Sequence, residues 1–319
     1  MDIILTGSVA YDYLMTFPGY FRDHLLPDKL EHISLSLLVD SMVRQRGGIA
    51  PNIAYTLALL GEHPRVMATV GEDFTEYRNF LEGIGVDTFL MKVIPGEFTA
   101  SCFINTDRDN AQLVSFFPGA MAKAGEISFH DLKDLPDLVV ISPNSPEAMN
   151  KYPIECQELG IPYLYDPSQQ IPRMTGDELR KGVEGANAMM VNDYEFGMIQ
   201  KKTGMLEAEI REILQFLVVT YGSDGARIYV KDKEFHTPVI PPDKIADPTG
   251  VGDAFRGGFL TGLARGFSWE ICGKMGALAA TYCLESDGPQ EYHFTIEEYI
   301  NRFRQHFDDQ GLLNTLLGE

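Results

Sequence analysis

Positive charge is scarce in this chain of 319 residues: 26 lysines and arginines stand against 46 aspartates and glutamates. The formal charge of −20 and a pI of about 4.7 argue against nucleic acid or an anionic membrane as the main partner. A nucleotide is not excluded, because backbone N–H groups can hold phosphate inside an acidic protein. Cysteine is scarce too. Cys102, Cys156, Cys272 and Cys283 have no CxxC or other metal-type spacing, so free thiols in a reducing cytosol are expected. The histidines form no HxH or HxxxH pair, which argues against a histidine-based metal site. No apolar run nears the length of a membrane span. The opening MDIILTGSVAYDYL is acidic and enters a strand at once, unlike a signal peptide. A cytoplasmic location is the expectation. GxxxxGK[ST], GxGxxG and the HRD/DFG set are all missing, which excludes a Walker loop, a dinucleotide fingerprint and a protein-kinase core.

What is present is a rhythm of strands and helices. Residues 3–6, 66–70, 138–142, 162–165, 188–191 and 217–220 are short, near-continuous apolar runs, as in strands buried on both faces. Helical patterns lie between several of them, at 51–60, 75–84, 177–185 and 193–202, and 253–310 is mostly helical. The alternation predicts an α/β fold with a doubly wound, mainly parallel sheet flanked by helices. Residues 31–46 and 98–117 instead alternate with period two around polar turn residues such as Asp107 to Asn110. They read as antiparallel strands, either an edge sheet or a small lid. One domain over 1–319 is expected, with a lid formed by about 13–46 and 97–118.

DPTGVGDAFRGGF, residues 247–259, carries the most chemistry. A glycine turn feeding a helix presents unpaired N–H groups at the positive end of its dipole, which makes an anion site. Asp253 sits at the lip of that turn. A carboxylate there opposes anion binding unless it takes a proton from an attacking hydroxyl. The segment thus suggests phosphoryl transfer to an alcohol. The alternative is an ordinary N-cap aspartate.

Other motifs sit at strand ends or helix starts. TYGSDG (220–225) offers N–H groups and the Thr220 hydroxyl to phosphates, or is simply a hairpin turn. VNDYE (191–195) sets Asn192 and Glu195 on one face of a first turn, as a cap or as hard oxygen groups for Mg²⁺. GSVAYD (7–12) closes the first strand with Asp12, which suits a vicinal diol. RGGIAPN (46–52) gives a glycine pair for close backbone approach, then Asn52. Gln169 and Gln170 of DPSQQ (166–170) could read the edge of a heterocycle or be solvated loop polars. Trp269, the single tryptophan, reads as packing.

In this order the motifs resemble the ribokinase-like (PfkB) carbohydrate and nucleoside kinases, over roughly residues 3–290. YLMTFPGYF (13–21), HISLSLLVD (32–40), SFFPGAM (115–121) and DPSQQ are similar to the bacterial adenosine kinases of that superfamily. The resemblance implies a ribokinase-like fold with a β-sheet lid. It implies Asp253 as base, with Gly250, Val251 and Gly252 supplying the anion hole. It implies ribose recognition by Asp12, Gly48 and Asn52, with Ser8, Ser36, Gln169 and Gln170 around the nucleoside and Arg173 near the transferred phosphate. Asn192 and Glu195 would act on Mg²⁺ and phosphate. Thr220, Gly222 and Gly225 would bind ATP. The loop 286–291, including Gly288, with the backbone after Asp247, would hold a monovalent cation such as K⁺. Ala10 departs from the asparagine of many sugar kinases in this family. Cys102 and Phe103 stand where adenosine kinases present a lid aromatic, so Phe103 and Phe117 are the candidates to stack on a base. The implied activity is an ATP-dependent adenosine kinase, a homodimer through its lid. A ribokinase, a broad nucleoside or sugar kinase, and a non-catalytic nucleoside sensor are the alternatives.

Overall fold

The computed structural model describes residues 1–24 and 35–318. The first six strands are β1 (Ile3–Thr6), β2 (Ala10–Thr16), β3 (Ser41–Gly47), β4 (Arg65–Met67), β5 (Thr69–Val70) and β6 (Lys92–Val93). Next come β7 (Ala100–Thr106), β8 (Gln112–Phe117), β9 (Leu138–Ile141), β10 (Tyr163–Tyr165) and β11 (Ala188–Asn192). β12 (Phe216–Thr220), β13 (Ala226–Val230) and β14 (Lys233–Thr237) complete them. The helices begin with α1 (Phe21–His24), α2 (Ile49–Leu59), α3 (Thr75–Gly83), α4 (Pro146–Leu159) and α5 (Gly176–Glu184). They continue with α6 (Asp193–Thr203), α7 (Glu207–Ile213), α8 (Val251–Ala264), α9 (Trp269–Leu284) and α10 (Ile296–His306).

Eight strands form the main sheet in the order β14-β13-β12-β11-β10-β9-β1-β4. The run from β4 to β12 is parallel, and β12, β13 and β14 pair antiparallel at one edge. Successive strand residues face opposite layers, as strand geometry requires. Leu5, Val140, Met190 and Val218 join one apolar cluster with Ile53 of α2 and Phe259 of α8. Ile4, Val139, Met189 and Leu217 join another with Tyr152 of α4, Leu179 of α5 and Ile199 of α6. This two-sided burial is why these runs read as continuously apolar in the sequence. The chain winds from β1 to β4 on one side and to β9 on the other, and ligands collect at the strand ends beside such a reversal.

A separate sheet has the order β3-β2-β7-β8. Three expectations need correction here. The apolar run 66–70 is split: β4 ends at Met67, and β5 pairs instead with β6. The first strand ends at Thr6, so Asp12 does not close it; Asp12 lies inside β2, in the four-stranded sheet. Of the stretch 31–46, only Ser41–Gly47 is a strand, residues 35–40 have no helix or strand, and 31–34 fall outside the described residues. The hairpin β7–β8 fits the expected 98–117, with Asp107 accepting N–H bonds from Phe21, Asp109 and Ala111 around its turn.

Candidate functional site

The glycine turn before α8 is held open by its own backbone. Gly250 is the N-cap, in the left-handed region at φ 77°. A Cβ there would lie 2.4 Å from Pro289 Cβ. Asp253 is therefore not the N-cap. It stands at the third position of α8, buried, its Oδ2 accepting a hydrogen bond from Asn52 Nδ2 at 2.8 Å. Burial pushes its carboxyl up to about 6, while Arg256 and the Asn52 amide pull the other way. A carboxylate with that affinity is mostly ionised at neutral pH and close enough to it to accept a proton.

Asn52 is aimed by a partner that the sequence did not reveal. Gln290 donates through Nε2 to Asn52 Oδ1 at 2.8 Å and to the Tyr77 hydroxyl. The Tyr77 hydroxyl donates to Gly47 O at 3.0 Å. With Oδ1 so engaged, the Asn52 amide must turn Nδ2 toward Asp253. Nδ2 keeps a second N–H for a ligand. Gln290 lay within the recognised loop 286–291, but no local spacing ties it to a residue 238 positions away.

Asp12 packs over Gly47, where a Cβ would meet its Oδ2 at 2.3 Å. Burial, and secondarily the charge of Asp247, raise its carboxyl to about 6. Asp247 opens the segment that leads to Gly250, so the charge felt by Asp12 comes from that side. Gln45, opposite it on β3, donates to Asp287 O at 2.7 Å and joins this face of the four-stranded sheet to the loop 286–291. Ser8 Oγ accepts from Ile49 N at 3.2 Å, so it also caps the start of α2.

Register decides which aromatics share that face. Asp12 pairs with Cys102, and Cys102 with Phe116. Phe103 pairs with Tyr13 and stacks on its ring at 4.9 Å; Phe117 pairs with Ser101. Phe103 and Phe117 therefore lie on the face opposite Asp12, and Phe116 lies on its side. Ser36 is exposed in a segment without regular structure and shows no contact with these groups among the described bonds.

The turn Ser168–Arg173 follows β10. Gln170 is buried, and its Oε1 has no hydrogen-bond partner among the described residues, while Gln169 and Arg173 are exposed. A buried amide oxygen without a partner is costly in a native protein and points to a donor that arrives with a ligand or water. Asp166, at the start of this segment, was missed by sequence reading. It is fully buried, accepts from Ser142 Oγ, and takes Arg256 Nη2 at 2.6 Å. Burial pushes its carboxyl up, against the pull of Arg256.

Asn192 and Glu195 form the reciprocal cap of α6: Asn192 Oδ1 accepts from Glu195 N, and Glu195 Oε2 from Asn192 N. Glu195 Oε1 accepts from Ser168 Oγ at 2.8 Å. The capping reading holds, and each carboxylate oxygen keeps lone-pair capacity. TYGSDG is the β12–β13 turn, as the hairpin reading has it, with Tyr221 N donating to Gly225 O. It also borders a cavity of about 430 Å³, lined on one side by Thr220, Gly222 and Gly225 and on the other by Val251, Gly252 and Phe255. Both glycine turns thus open on one space. Asp247 Oδ1 accepts from Thr249 N, and Gly288 packs against Gln45. Among the described residues, no group of three or more His, Cys, Asp or Glu gathers as a metal site, and no helix is long and apolar enough to cross a membrane.

Residues 10–294 match the pattern of the pfkB family of carbohydrate kinases. The Burkholderia thailandensis nucleoside kinase in complex with inosine is 38% identical, with a TM-score of 0.85 over 96% of this chain and 98% of that one. The Methanocaldococcus jannaschii nucleoside kinase, an archaeal member of the ribokinase family, is 29% identical, with a TM-score of 0.86 over 96% and 99%. The Sinorhizobium meliloti adenosine kinase is 19% identical, with a TM-score of 0.74 over 96% and 99%, a likeness of fold alone.

Proposed function

This chain belongs to the pfkB family of carbohydrate kinases, and on that premise we propose that it transfers the γ-phosphate of ATP to the 5′-hydroxyl of a nucleoside, adenosine foremost, giving AMP and ADP. The observation that carries the reading is Asp253: a buried carboxylate, oriented by Asn52, three residues into a helix whose glycine turn can hold an anion. The acceptor hydroxyl would lie between Asp253 and the transferring group. Asp253 takes its proton, an effect on the order of 10²–10⁴ in rate. The N–H groups of Gly250, Val251 and Gly252 stabilise the growing charge.

Asp12, Gly48 and Asn52 suit the ribose diol, with Ser8 beside them. The unpartnered Gln170 Oε1 suits the exocyclic amine of a purine. Phe116 replaces Phe103 and Phe117 as the lid aromatic on the substrate side. The cavity between Thr220 and Val251 fits the donor nucleotide. Asn192 and Glu195 could steady Mg²⁺ through its waters, and that ion, when bound, neutralises donor phosphates. The loop 286–291 with the backbone after Asp247 suits a monovalent cation, and Arg173 the phosphate's outer side. We take the four-stranded sheet as a lid that excludes water on closing.

The inosine complex of the Burkholderia protein supports a broader nucleoside kinase as the second reading. Adenosine, inosine, guanosine, cytidine, ribose and fructose 6-phosphate, each with MgATP, separate the readings by kcat/KM. Adenosine is expected to rank first. Inosine or cytidine ranking first gives the broader kinase, free ribose ranking first overturns the nucleoside reading, and binding without ADP formation supports a sensor.

β8 is exposed along its whole length and carries Leu113, Val114, Phe116 and Phe117 at a sheet edge that has no partner strand among the described residues. Such an edge invites pairing, and a homodimer through the lids is expected. A monomer mass by light scattering would overturn it.

A further inference from the structure

We propose that Arg256, anchored by Asp166, is a positioning residue for Asp253 that keeps the base charged and aimed without consuming its lone pairs. The inference rests on the reading of Asp253 as the base.

The geometry is unusual for a structural ion pair. Arg256 lies three residues after Asp253 on α8 and so shares its face. It is buried at 9% exposure. Its Nη2 bonds Asp166 Oδ1 at 2.6 Å, but its Nη1 stops 3.7 Å short of Asp253 Oδ1. That separation is too long for a hydrogen bond and short enough for a strong charge interaction in a buried site. Its Nε is buried with no partner. A Cβ built on Gly252 would sit 3.0 Å from Nη1, so the guanidinium lies directly against the glycine turn.

Burying a cation is costly unless it is paired, and Asp166 supplies that pairing. One carboxylate would suffice for stability. A second, held just beyond bonding distance, is what a base needs. A direct fork from arginine would occupy the oxygens that must accept a proton. At 3.7 Å the charge favours the ionised carboxylate and leaves Oδ1 unbonded.

The groups that act on Asp253 come from several elements: Arg256 on α8, Asn52 on α2, Glu195 on α6, Asp166 after β10, Cys283 on α9 and Tyr292 beyond it. Of these only Arg256 is positive. Burial raises the Asp253 carboxyl, and Arg256 is the largest influence against that rise. For a base the sign is simple. Activity is lost as pH falls through its pKa, so a higher pKa moves the acid limb upward.

The test is the acid limb of kcat/KM for the preferred nucleoside, compared between variants so that the titration of ATP is common to all. Arg256→Gln is expected to move the limb up by about one pH unit or more. Arg256→Lys should stay within a few tenths of wild type. Asp166→Asn, which loosens the anchor of Arg256 and lets it close on Asp253, should move it down. A structural role alone does not produce shifts of opposite sign. An unmoved limb in Arg256→Gln, or shifts of the same sign in Arg256→Gln and Asp166→Asn, overturns the proposal. Should Arg256→Gln fail to fold, Asp166→Asn decides: a downward shift supports the proposal, and no shift or an upward one overturns it. Failure of the underlying reading looks different, because Asp253→Asn would then remain active.

Discussion

Asp253→Asn is expected to lower turnover by about 10²–10⁴-fold while nucleoside binding persists. The substitution keeps the size of the side chain and its place on α8, and removes the negative charge and with it the capacity to take a proton. The glycine turn and the cavity beside it stay intact, which is why binding should survive. Turnover within tenfold of wild type would sink the assignment of Asp253 as base. The same variant carries a stability signature of opposite sense. Burial raises the Asp253 carboxyl from 3.8 to about 6, so the folded chain binds that proton more tightly than the unfolded chain. Stability linked to this group is present at low pH and lost as pH rises through about 6. Removing the charge should therefore raise stability near pH 8, by an amount on the order of 3 kcal/mol at most. Loss of turnover with equal or higher stability is the pattern of a site held ready at a cost to the fold.

The sequence announced some parts of this site and hid others, for physical reasons. Buried parallel strands are apolar on both faces, so β1, β9, β11 and β12 stood out as runs. Caps are local, so Asn192 and Glu195 were legible as a pair three residues apart. β2 was not legible as a strand of its own. Its AYDYLMT carries a polar Asp12 amid aromatics and follows β1 after three residues, so it read as the tail of the first strand. Register was hidden as well. A strand pattern shows which residues alternate, not which partner they meet, and a one-residue slip exchanges faces. That is why the sequence points to Phe103 and Phe117, where Phe116 shares the face of Asp12. The links that tune Asp253 are the longest in sequence. Asn52 is 201 residues from it, and Asp166 is 90 residues from Arg256. Arg256 had one local signal, its spacing of three from Asp253 on a helix.

Gly48→Ala is expected to cause a large loss of stability. Gly48 joins β3 of the four-stranded sheet to α2, which carries Asn52. Its φ of 97° is a conformation that side chains rarely adopt. A Cβ there would lie 2.5 Å from Ser8 O, 2.7 Å from Val9 Cα and 2.8 Å from Ala10 N. All three are backbone atoms, so no rotamer change relieves them. Dihedral strain costs about 1–3 kcal/mol, and overpacking a tight site adds about 1–3 kcal/mol. A domain stabilised by roughly 5–15 kcal/mol loses a large share of its margin to such a change. Relief requires the strand and helix to part, which moves Asn52 away from Asp253 and couples the stability loss to lower kcat/KM. Gly83→Ala is the control, because a Cβ at Gly83 meets nothing within 4 Å and the residue ends α3. Urea unfolding should show a clear drop in midpoint for Gly48→Ala and almost none for Gly83→Ala. Equal midpoints would mean that the backbone at Ser8–Ala10 yields freely, and the close approach at Gly48 would then not be what fixes the four-stranded sheet to the helix that carries Asn52.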